Sequence, residues 1–389
     1  MTALSPSAQR HGTLVAAMAT IACCDIAMGL TLQLLPLLME SRGIPAWVMG
    51  LNAAMSPLGI MVAGPFLPRV VKRFGSKRVV YVVILMVMAS LLAFRLFTSL
   101  PAWFAIRFFF GMAAGSLFSV SEAWMLSSTE SGNRGRVMGL YTSILAVTFA
   151  MGPMIIPFTG IQGWTPWLIG TACVGLSAIP LAFVRIGADG FGDHEGAGFF
   201  GFLKRAPLLL FAIATVTMFD AIILSFFPIF GLRSGLPLAT VSYILAVAII
   251  GNAAMQYPIG ILADKWSKMK VIVLSAAITA VLCVAMIWTI DTWLIWPVML
   301  ILGTTAFAIY TVALALLGDR FEGPDLIAGS AAFGAMWGVG GLIGPPIAGA
   351  AVGAFGIDAI PITLACIYAI LLGGLALTGG NLVREPVHG

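Results

Sequence analysis

Twelve apolar segments, each long enough to cross a bilayer, decide what this chain can fold into. A membrane-spanning helix needs about 20 mainly apolar residues. Only 9% of the residues are charged, which is too few to cover a water-facing surface, so lipid must surround most of the chain. The sequence therefore predicts an all-α membrane protein with twelve transmembrane helices. The predicted spans are 13–39, 46–68, 79–99, 101–128, 137–159, 164–184, 207–231, 238–262, 271–290, 292–317, 326–353 and 358–382.

Basic residues fall mainly in alternate loops between the spans, and this asymmetry predicts the orientation of the chain. The opposite loops carry only Arg42 and Arg233. Because short cytoplasmic loops are enriched in Lys and Arg, we expect both termini in the cytoplasm, in a bacterial-type inner membrane. The net charge of +5 is scattered over these loops rather than gathered on one face, which argues against a nucleic-acid partner. The basic side carries Arg10, Arg69, Lys72, Arg73, Lys77, Arg78, Arg134, Arg136, Arg185, Lys204, Arg205, Lys265, Lys268, Lys270, Arg320 and Arg384.

The two halves of the chain repeat each other without a gap at an offset of 192 residues. Each half has six spans, so both copies enter the membrane in the same sense, as in one of the two common transporter plans. We expect two pseudo-symmetric six-helix bundles over 13–185 and 207–382. A glycine-rich cytoplasmic linker (186–206) joins them, with cytoplasmic ends at 1–12 and 383–389. The matching positions are Pro36 with Pro228, Gly43 with Gly235, Pro45 with Pro237, Gly59 with Gly251, Gly111 with Gly303, and Gly152-Pro153 with Gly344-Pro345.

Short motifs give the chain a resemblance to the major facilitator superfamily. The loop after span 8 runs from Gly260 through Asp264 and Lys265 to Lys270 and is similar to the family signature G-x-x-x-D-R-x-G-R-R. In the first half, Lys72 stands where the family has its aspartate. The resemblance implies the major facilitator fold and a transporter without an agreed substrate. Further similar motifs are Arg107-Phe-Phe-Phe-Gly111 in span 4, the exporter-like Gly152-Pro153 in span 5, and Ser121-Glu122-Ala-Trp124 with Asn133-Arg134-Gly135-Arg136, which resembles the YcaD-like branch.

Two aspartates near the middle of spans 1 and 7 are the candidates for proton coupling. Asp220 aligns with Met28 under the repeat, one helical turn from Asp25, so both carboxyl groups fall near the same helix face and depth. An ionised group at a helix centre costs about 3 kcal/mol on insertion scales, so such groups are functional by default. The hypothesis is that one or both bind and release protons; a hydrogen-bonded structural aspartate is the alternative. Glu122 is a candidate for a second proton site, with a structural role as its alternative.

Several other side chains inside the spans are candidates for substrate contact. Arg107 suits an anionic substrate group or a pair with Asp25, although a long arginine also snorkels. Packing or bonding between helices is the alternative for the other candidates. These are Gln33, Asn52, Tyr310, Trp124 and Trp337.

Loop charges predict a charge-swapped latch on the cytoplasmic side. In the family, the aspartate after span 2 closes this side against the start of span 11. Here Lys72 and Arg73, ahead of Gly75, would meet Glu322 and Asp325. By symmetry the Gly260–Lys265 motif, through Asp264, would meet Arg134 and Arg136. Ordinary solvated loop charges are the alternative. Helix bends are expected at Gly152, Pro153, Gly344 and Pro345.

The leading functional interpretation is alternating-access export of a small, partly hydrophobic compound in exchange for protons. Proton-coupled uptake of a small organic anion and a non-transporting receptor stay as alternatives. All three histidines lie outside the spans, which predicts no intramembrane metal site. Neither Asp25 nor Asp220 follows glycine as in the Gly-x-Gly-Asp motif of membrane aspartyl proteases, so no enzyme is expected. The chain has no G-x-x-x-x-G-K-[ST] loop, so an ion gradient without a cofactor is expected to supply the energy. We expect a monomer whose partners are the lipid bilayer and the substrate.

The latch can be tested by charge reversal. Lys72→Asp and Asp325→Lys are each expected to reduce transport by purified protein in liposomes under a pH gradient, because each places like charges together. Combining both reversals restores opposite charges and should recover most of the activity. A double variant no more active than either single variant would count against the latch.

Overall fold

The computed structural model describes residues 6–128, 134–183, 205–321 and 323–378, and within those ranges all regular structure is helical. Backbone N–H and C=O groups inside a membrane must find hydrogen-bond partners within the protein. A helix supplies these partners within one segment, which suits apolar runs of about 20 residues. The helices are α1 (Pro6–Ser41), α2 (Ala46–Ala63), α3 (Leu67–Phe74), α4 (Ser76–Leu96), α5 (Leu100–Ser128), α6 (Arg134–Thr159), α7 (Thr165–Leu176), α8 (Ala178–Phe183), α9 (Pro207–Arg233), α10 (Leu238–Lys265), α11 (Lys268–Thr289), α12 (Ile295–Arg320), α13 (Gly323–Phe355) and α14 (Ala359–Leu377).

The observed helices follow the twelve predicted spans. Over the described residues, eleven segments are long and apolar enough to cross a membrane, and the shorter apolar helix Ile144–Thr159 occupies the predicted fifth span. The sixth span consists of α7 and α8, which meet at Ser177, and the short α3 precedes the third span. The predicted all-α membrane fold is confirmed.

The helices belong to two compact units. Unit 1 comprises Met1–Leu38 and Met55–His194, and unit 2 comprises Met39–Ala54 and Glu195–Gly389. In unit 1, α4 packs against α5 and α7. In unit 2, α9 packs along α13, α10 along α12, and α11 against α12 and α14. Unit 2 therefore includes the end of α1 and the first half of α2. The bundle boundaries expected from the sequence stay predictions.

The 192-residue repeat reappears as the same helix crossing in both units. In unit 1, α2 and α5 approach so closely that a β-carbon on Gly111 would lie 2.2 Å from the carbonyl oxygen of Ser56. In unit 2, a β-carbon on Gly303 would lie 2.0 Å from the carbonyl oxygen of Ala248. Both glycines and both contacted residues are related by the offset. A second equivalent pair of close approaches follows the same offset. A β-carbon on Gly59 would overlap the Phe108 carbonyl oxygen, and one on Gly251 would overlap the Leu300 carbonyl oxygen.

The ends of α1 and α9 also share one geometry. Gly43 and Gly235 follow these helices with φ of 68° and 88°, a left-handed conformation that glycine adopts without steric cost. Ile44 N–H donates to the Met39 carbonyl at 3.1 Å, and the equivalent Leu236 N–H donates to the Gly231 carbonyl at 3.0 Å. The glycines therefore end the first helix of each half in the same way.

The glycine crossing can be tested in unit 2. Gly303→Ala should destabilise the protein by about 1–3 kcal/mol, because the added methyl group overlaps a backbone carbonyl and forces α10 and α12 apart. Gly353→Ala in α13 is the matched control, since a β-carbon there has no neighbour within 4 Å. Thermal unfolding in detergent should show a lower midpoint for Gly303→Ala alone, and equal midpoints for both variants would contradict the crossing.

Candidate functional site

Asp25 lies on α1 of unit 1, beside the helix crossing made by the Gly-Pro motif of α6. A β-carbon on Gly152 would lie 2.6 Å from the carbonyl oxygen of Ile26 and 2.3 Å from the nitrogen of Leu30. This contact holds the backbone of α6 directly against the turn of α1 that follows Asp25. The Asp25 side chain is 8% exposed, so the structure withdraws this carboxyl group from solvent.

Asp220 lies at the equivalent crossing in unit 2. A β-carbon on Gly344 of α13 would lie 3.0 Å from the carbonyl oxygen of Met218 and 3.3 Å from Ile222 Cγ1. These contacted positions are the 192-residue equivalents of Ile26 and Leu30. Asp220 falls between them and is half-buried. Each unit therefore carries one carboxyl group at the level where its Gly-Pro helix crosses its first helix.

Neither carboxyl group is neutralised by another described side chain. Among the residues that the structure describes, no ion pair or hydrogen bond joins either aspartate to a partner side chain. An unpaired carboxylate inside a membrane is costly, so a proton or a cation is the chemistry that satisfies these sites.

Tyr310 and Trp337, two predicted substrate contacts, meet in unit 2. Their ring centroids are 5.8 Å apart, with the rings nearly perpendicular at 71°. Phe307 lies 6.5 Å from Trp337 in a stacked arrangement and 6.4 Å from Phe219, the residue before Asp220. Phe219 in turn packs on Tyr368 at 5.9 Å. We call these five residues the aromatic cluster; it joins α9, α12, α13 and α14.

The other predicted substrate contacts are buried. Arg107 has no exposed surface, and its backbone carbonyl accepts a hydrogen bond from the Ser56 hydroxyl at 3.4 Å. Gln33 and Trp124 are each 1% exposed within unit 1, whereas Asn52 is fully buried within unit 2. The structure thus does not gather all six candidates in one unit.

The latch and the second proton site fall largely outside the described part of the chain. Lys72 and Arg73 form the last turn of α3, and Gly75 follows with φ of 84°. Gly260 and Lys265 lie on α10, while Pro153 and Pro345 lie inside α6 and α13. The latch and the role of Glu122 stay predictions. Glu322 is not among the described residues, nor are the side chains of Glu122, Arg134, Arg136, Asp264 and Asp325.

A polar group in unit 2 was missed by the sequence reasoning. The Gln256 amide donates to the Asn252 side chain, and the Thr311 hydroxyl donates to the Gln256 carbonyl oxygen. This joins α10 to α12 next to Tyr310. The signal was available, because Asn252 and Gln256 are four residues apart in an otherwise apolar span.

Two ion pairs were also missed. Arg233 binds Glu40 through two bonds, Nε to Oε1 at 2.6 Å and Nη2 to Oε2 at 2.9 Å. This pair joins the end of α1 to the end of α9, on the side that the loop charges predict to face away from the cytoplasm. Lys268 pairs with Asp319, joining α11 to α12. Neither pair has a local sequence signal, because its partners are far apart in the chain.

Comparison with known proteins identifies the family. The sequence profile of the Major Facilitator Superfamily matches residues 17–315 and 209–387, which together cover nearly the whole chain. The chain belongs to the major facilitator superfamily. It is therefore a membrane transporter of small molecules and not an enzyme, and the recognition of the family from its motifs is confirmed.

Relatives with similar sequences are also transporters of this superfamily. The MFS-type transporter YfkF of Bacillus subtilis (strain 168) is 25% identical over 337 residues, covering 85% of this chain and 86% of YfkF. The MFS-type transporter YcaD of Escherichia coli is 24% identical over 369 residues, covering 93% of this chain and 95% of YcaD. The YcaD-like motifs noted in the sequence agree with this similarity.

Solved structures share the fold of this major facilitator protein. The nucleoside transporter NupG superposes with a TM-score of 0.80 at 11% identity, covering 95% of this chain and 99% of NupG. A bacterial homologue of the human lysosomal transporter Spinster, in an inward-facing and occupied conformation, also superposes with a TM-score of 0.80. Its sequence identity is 13%, and the match covers 97% of this chain and 99% of the homologue. At these identities the likeness shows the fold alone.

The Glu40–Arg233 pair can be tested with a double-mutant cycle. Its side chains are 21% and 40% exposed, so we expect a coupling energy of only about 0.5–1 kcal/mol. Glu40→Gln and Arg233→Gln should each lower the thermal unfolding midpoint in detergent, and the second change should cost little once the first is made. Asp291→Asn, at an exposed loop position, is the control. Fully additive effects of the two changes would contradict the pair.

Proposed function

We propose that this transporter exports a small, partly hydrophobic organic compound in exchange for protons by alternating access. The observation that carries the proposal is the pair of carboxyl groups, Asp25 and Asp220. They lie at equivalent helix crossings in the two units and have no ion-pair partner among the described side chains. A carboxyl group without an ion-pair partner inside the membrane is more stable when it carries a proton. In its ionised form it is stabilised by a nearby cation or by water.

The coupling we propose follows from the two environments that alternating access creates. When a carboxyl group is cut off from water, the neutral form is favoured, and a proton is retained. When water or a positively charged group reaches the same carboxyl group, the ionised form is favoured and the proton leaves. A cycle that exposes each aspartate first to one side of the membrane and then to the other would carry protons inwards while the substrate moves outwards.

Export is supported by two features of the chain. Gly152-Pro153 resembles the span-5 motif of proton-driven exporters, and a β-carbon on Gly152 would overlap the backbone of α1. The aromatic cluster offers an apolar contact surface for a compound taken from the membrane or the cytoplasm. In this proposal the protein acts as a monomer without a cofactor, in a bacterial-type inner membrane with both termini in the cytoplasm.

Proton-coupled uptake of a small organic anion is the second candidate. The fully buried Arg107 favours it, because a guanidinium group withdrawn from solvent binds a carboxylate or phosphate strongly. The two functions differ in where the compound must be added. An exporter responds to compound on the cytoplasmic face, and a symporter responds to compound on the opposite face.

Proton coupling can be measured in inverted membrane vesicles whose interior is acidified by respiration and reported by an acridine dye. A compound added outside, at the original cytoplasmic face, should draw protons out and restore dye fluorescence in vesicles with the wild-type protein. Asp220→Asn should abolish this recovery, because an amide cannot exchange the proton. Asp358→Asn, an exposed aspartate at the start of α14, is the matched control.

The outcomes of this experiment separate the candidates. Undiminished recovery with Asp220→Asn would overturn the role of that carboxyl group. Recovery only when the compound is loaded inside the vesicles would favour the symporter. Asp25→Asn, measured in the same way, reports whether one or both aspartates carry the coupled proton.

A further inference from the structure

Charge is distributed very unevenly within the C-terminal half. Asp220 is the one charged residue in the middle of any of the six C-terminal spans. The remaining charged residues of these spans, such as Arg233 and Asp358, lie at helix ends or in loops. A ligand whose charged group enters the interior of unit 2 therefore meets a single acidic group and no basic one. Coulomb's law favours a single positive charge there and opposes an anion.

The aromatic cluster lies next to this carboxyl group. Phe219 precedes Asp220 on α9 and contacts Phe307 and Tyr368. Beyond Phe307, the rings continue through Trp337 to Tyr310, so the aromatic surface extends from α9 across α13 and α12.

The cluster has a buried side and an accessible side. Phe219 and Tyr368 are 2% and 0% exposed and serve as support. Phe307, Tyr310 and Asp220 are only half-buried, and Trp337 is 38% exposed. A carboxyl group with an accessible edge is costly against lipid, so this side faces a space that water or a ligand occupies.

We propose that this accessible side of unit 2 binds an organic monocation with an aromatic body. The cationic centre lies at Asp220, and the apolar body packs on Phe307, Tyr310 and Trp337. The inference rests on the proposed export function and narrows its substrate class. One carboxylate neutralises one positive charge, which is why a monocation fits, and ring faces attract a cation as well as apolar surface.

Tetraphenylphosphonium is a suitable probe, because tetraphenylborate has nearly the same shape and the opposite charge. Equilibrium binding of radiolabelled tetraphenylphosphonium is measured on the purified full chain in detergent, without a pH gradient. We expect saturable binding of this cation. Tetraphenylborate is measured in separate samples, because the two ions pair with each other in solution, and it should show no saturable binding. Tetrabutylammonium, a cation of similar size without rings, should compete about tenfold more weakly, because it lacks the ring contacts.

Substitutions test whether tetraphenylphosphonium binds at Asp220 and the neighbouring rings. Asp220→Asn should weaken binding at least about tenfold, Asp220→Glu should keep most of it, and Trp337→Leu should weaken it several-fold. Asp358→Asn and Trp288→Leu are the matched controls and should leave binding unchanged, since Asp358 lies at a helix end and Trp288 is 70% exposed. Thermal unfolding midpoints close to wild type show that each variant is folded.

Three results would overturn the inference. They are no saturable tetraphenylphosphonium binding, equally tight binding of tetraphenylborate in separate samples, or full binding by a folded Asp220→Asn variant. Because the assay needs no gradient, it measures cation binding without requiring proton flux. Binding as expected without Asp220-dependent proton flux would contradict the proposed function alone. Proton flux driven only by neutral or anionic compounds, with no binding of the probe, would contradict this inference alone.

Discussion

The absence of water inside the bilayer is the constraint on which the rest of this structure depends. Backbone groups must bond within helices, which turns the apolar segments of the sequence into spans such as α9 and α12. Between helices, lipid is as apolar as leucine, so close packing replaces the hydrophobic effect as the source of cohesion. The crossing of α10 and α12 at Gly303 shows this directly, since any β-carbon there would overlap a backbone carbonyl.

The same lack of water makes each charge inside the spans costly in free energy. Asp25 and Asp220 are retained although each is costly, and both stand where a Gly-Pro helix crosses the first helix of its unit. Around Asp220 the structure adds an aromatic surface that includes Trp337. A carboxyl group beside accessible rings suits exchange between a proton and a cationic ligand, so the proposed proton coupling and the proposed substrate recognition would take place at one site.

The spans, the repeat and the intramembrane aspartates could be predicted because each depends on a local or periodic sequence pattern. Span length, glycine and proline at a fixed offset, and a charge in an apolar run are each visible without knowing the fold. Pairs that join distant segments were missed, such as Glu40 with Arg233 and Lys268 with Asp319. These four residues lie at helix ends, where charged residues are ordinary, so no local pattern indicates which partners meet.

The amino-acid sequence was enough to predict the helical membrane architecture, the repeat and the position of the two carboxyl groups. Apolar runs of about 20 residues satisfy their backbone groups as helices in hydrocarbon, which also tolerates few charges. The side chains that surround these carboxyl groups became known from the packing of the helices. Tyr310 and Trp337 are 27 residues apart in the chain and come within 5.8 Å because α12 and α13 pack in the same unit. Contact between side chains on different helices depends on how the helices are rotated and packed, and no local sequence pattern encodes that.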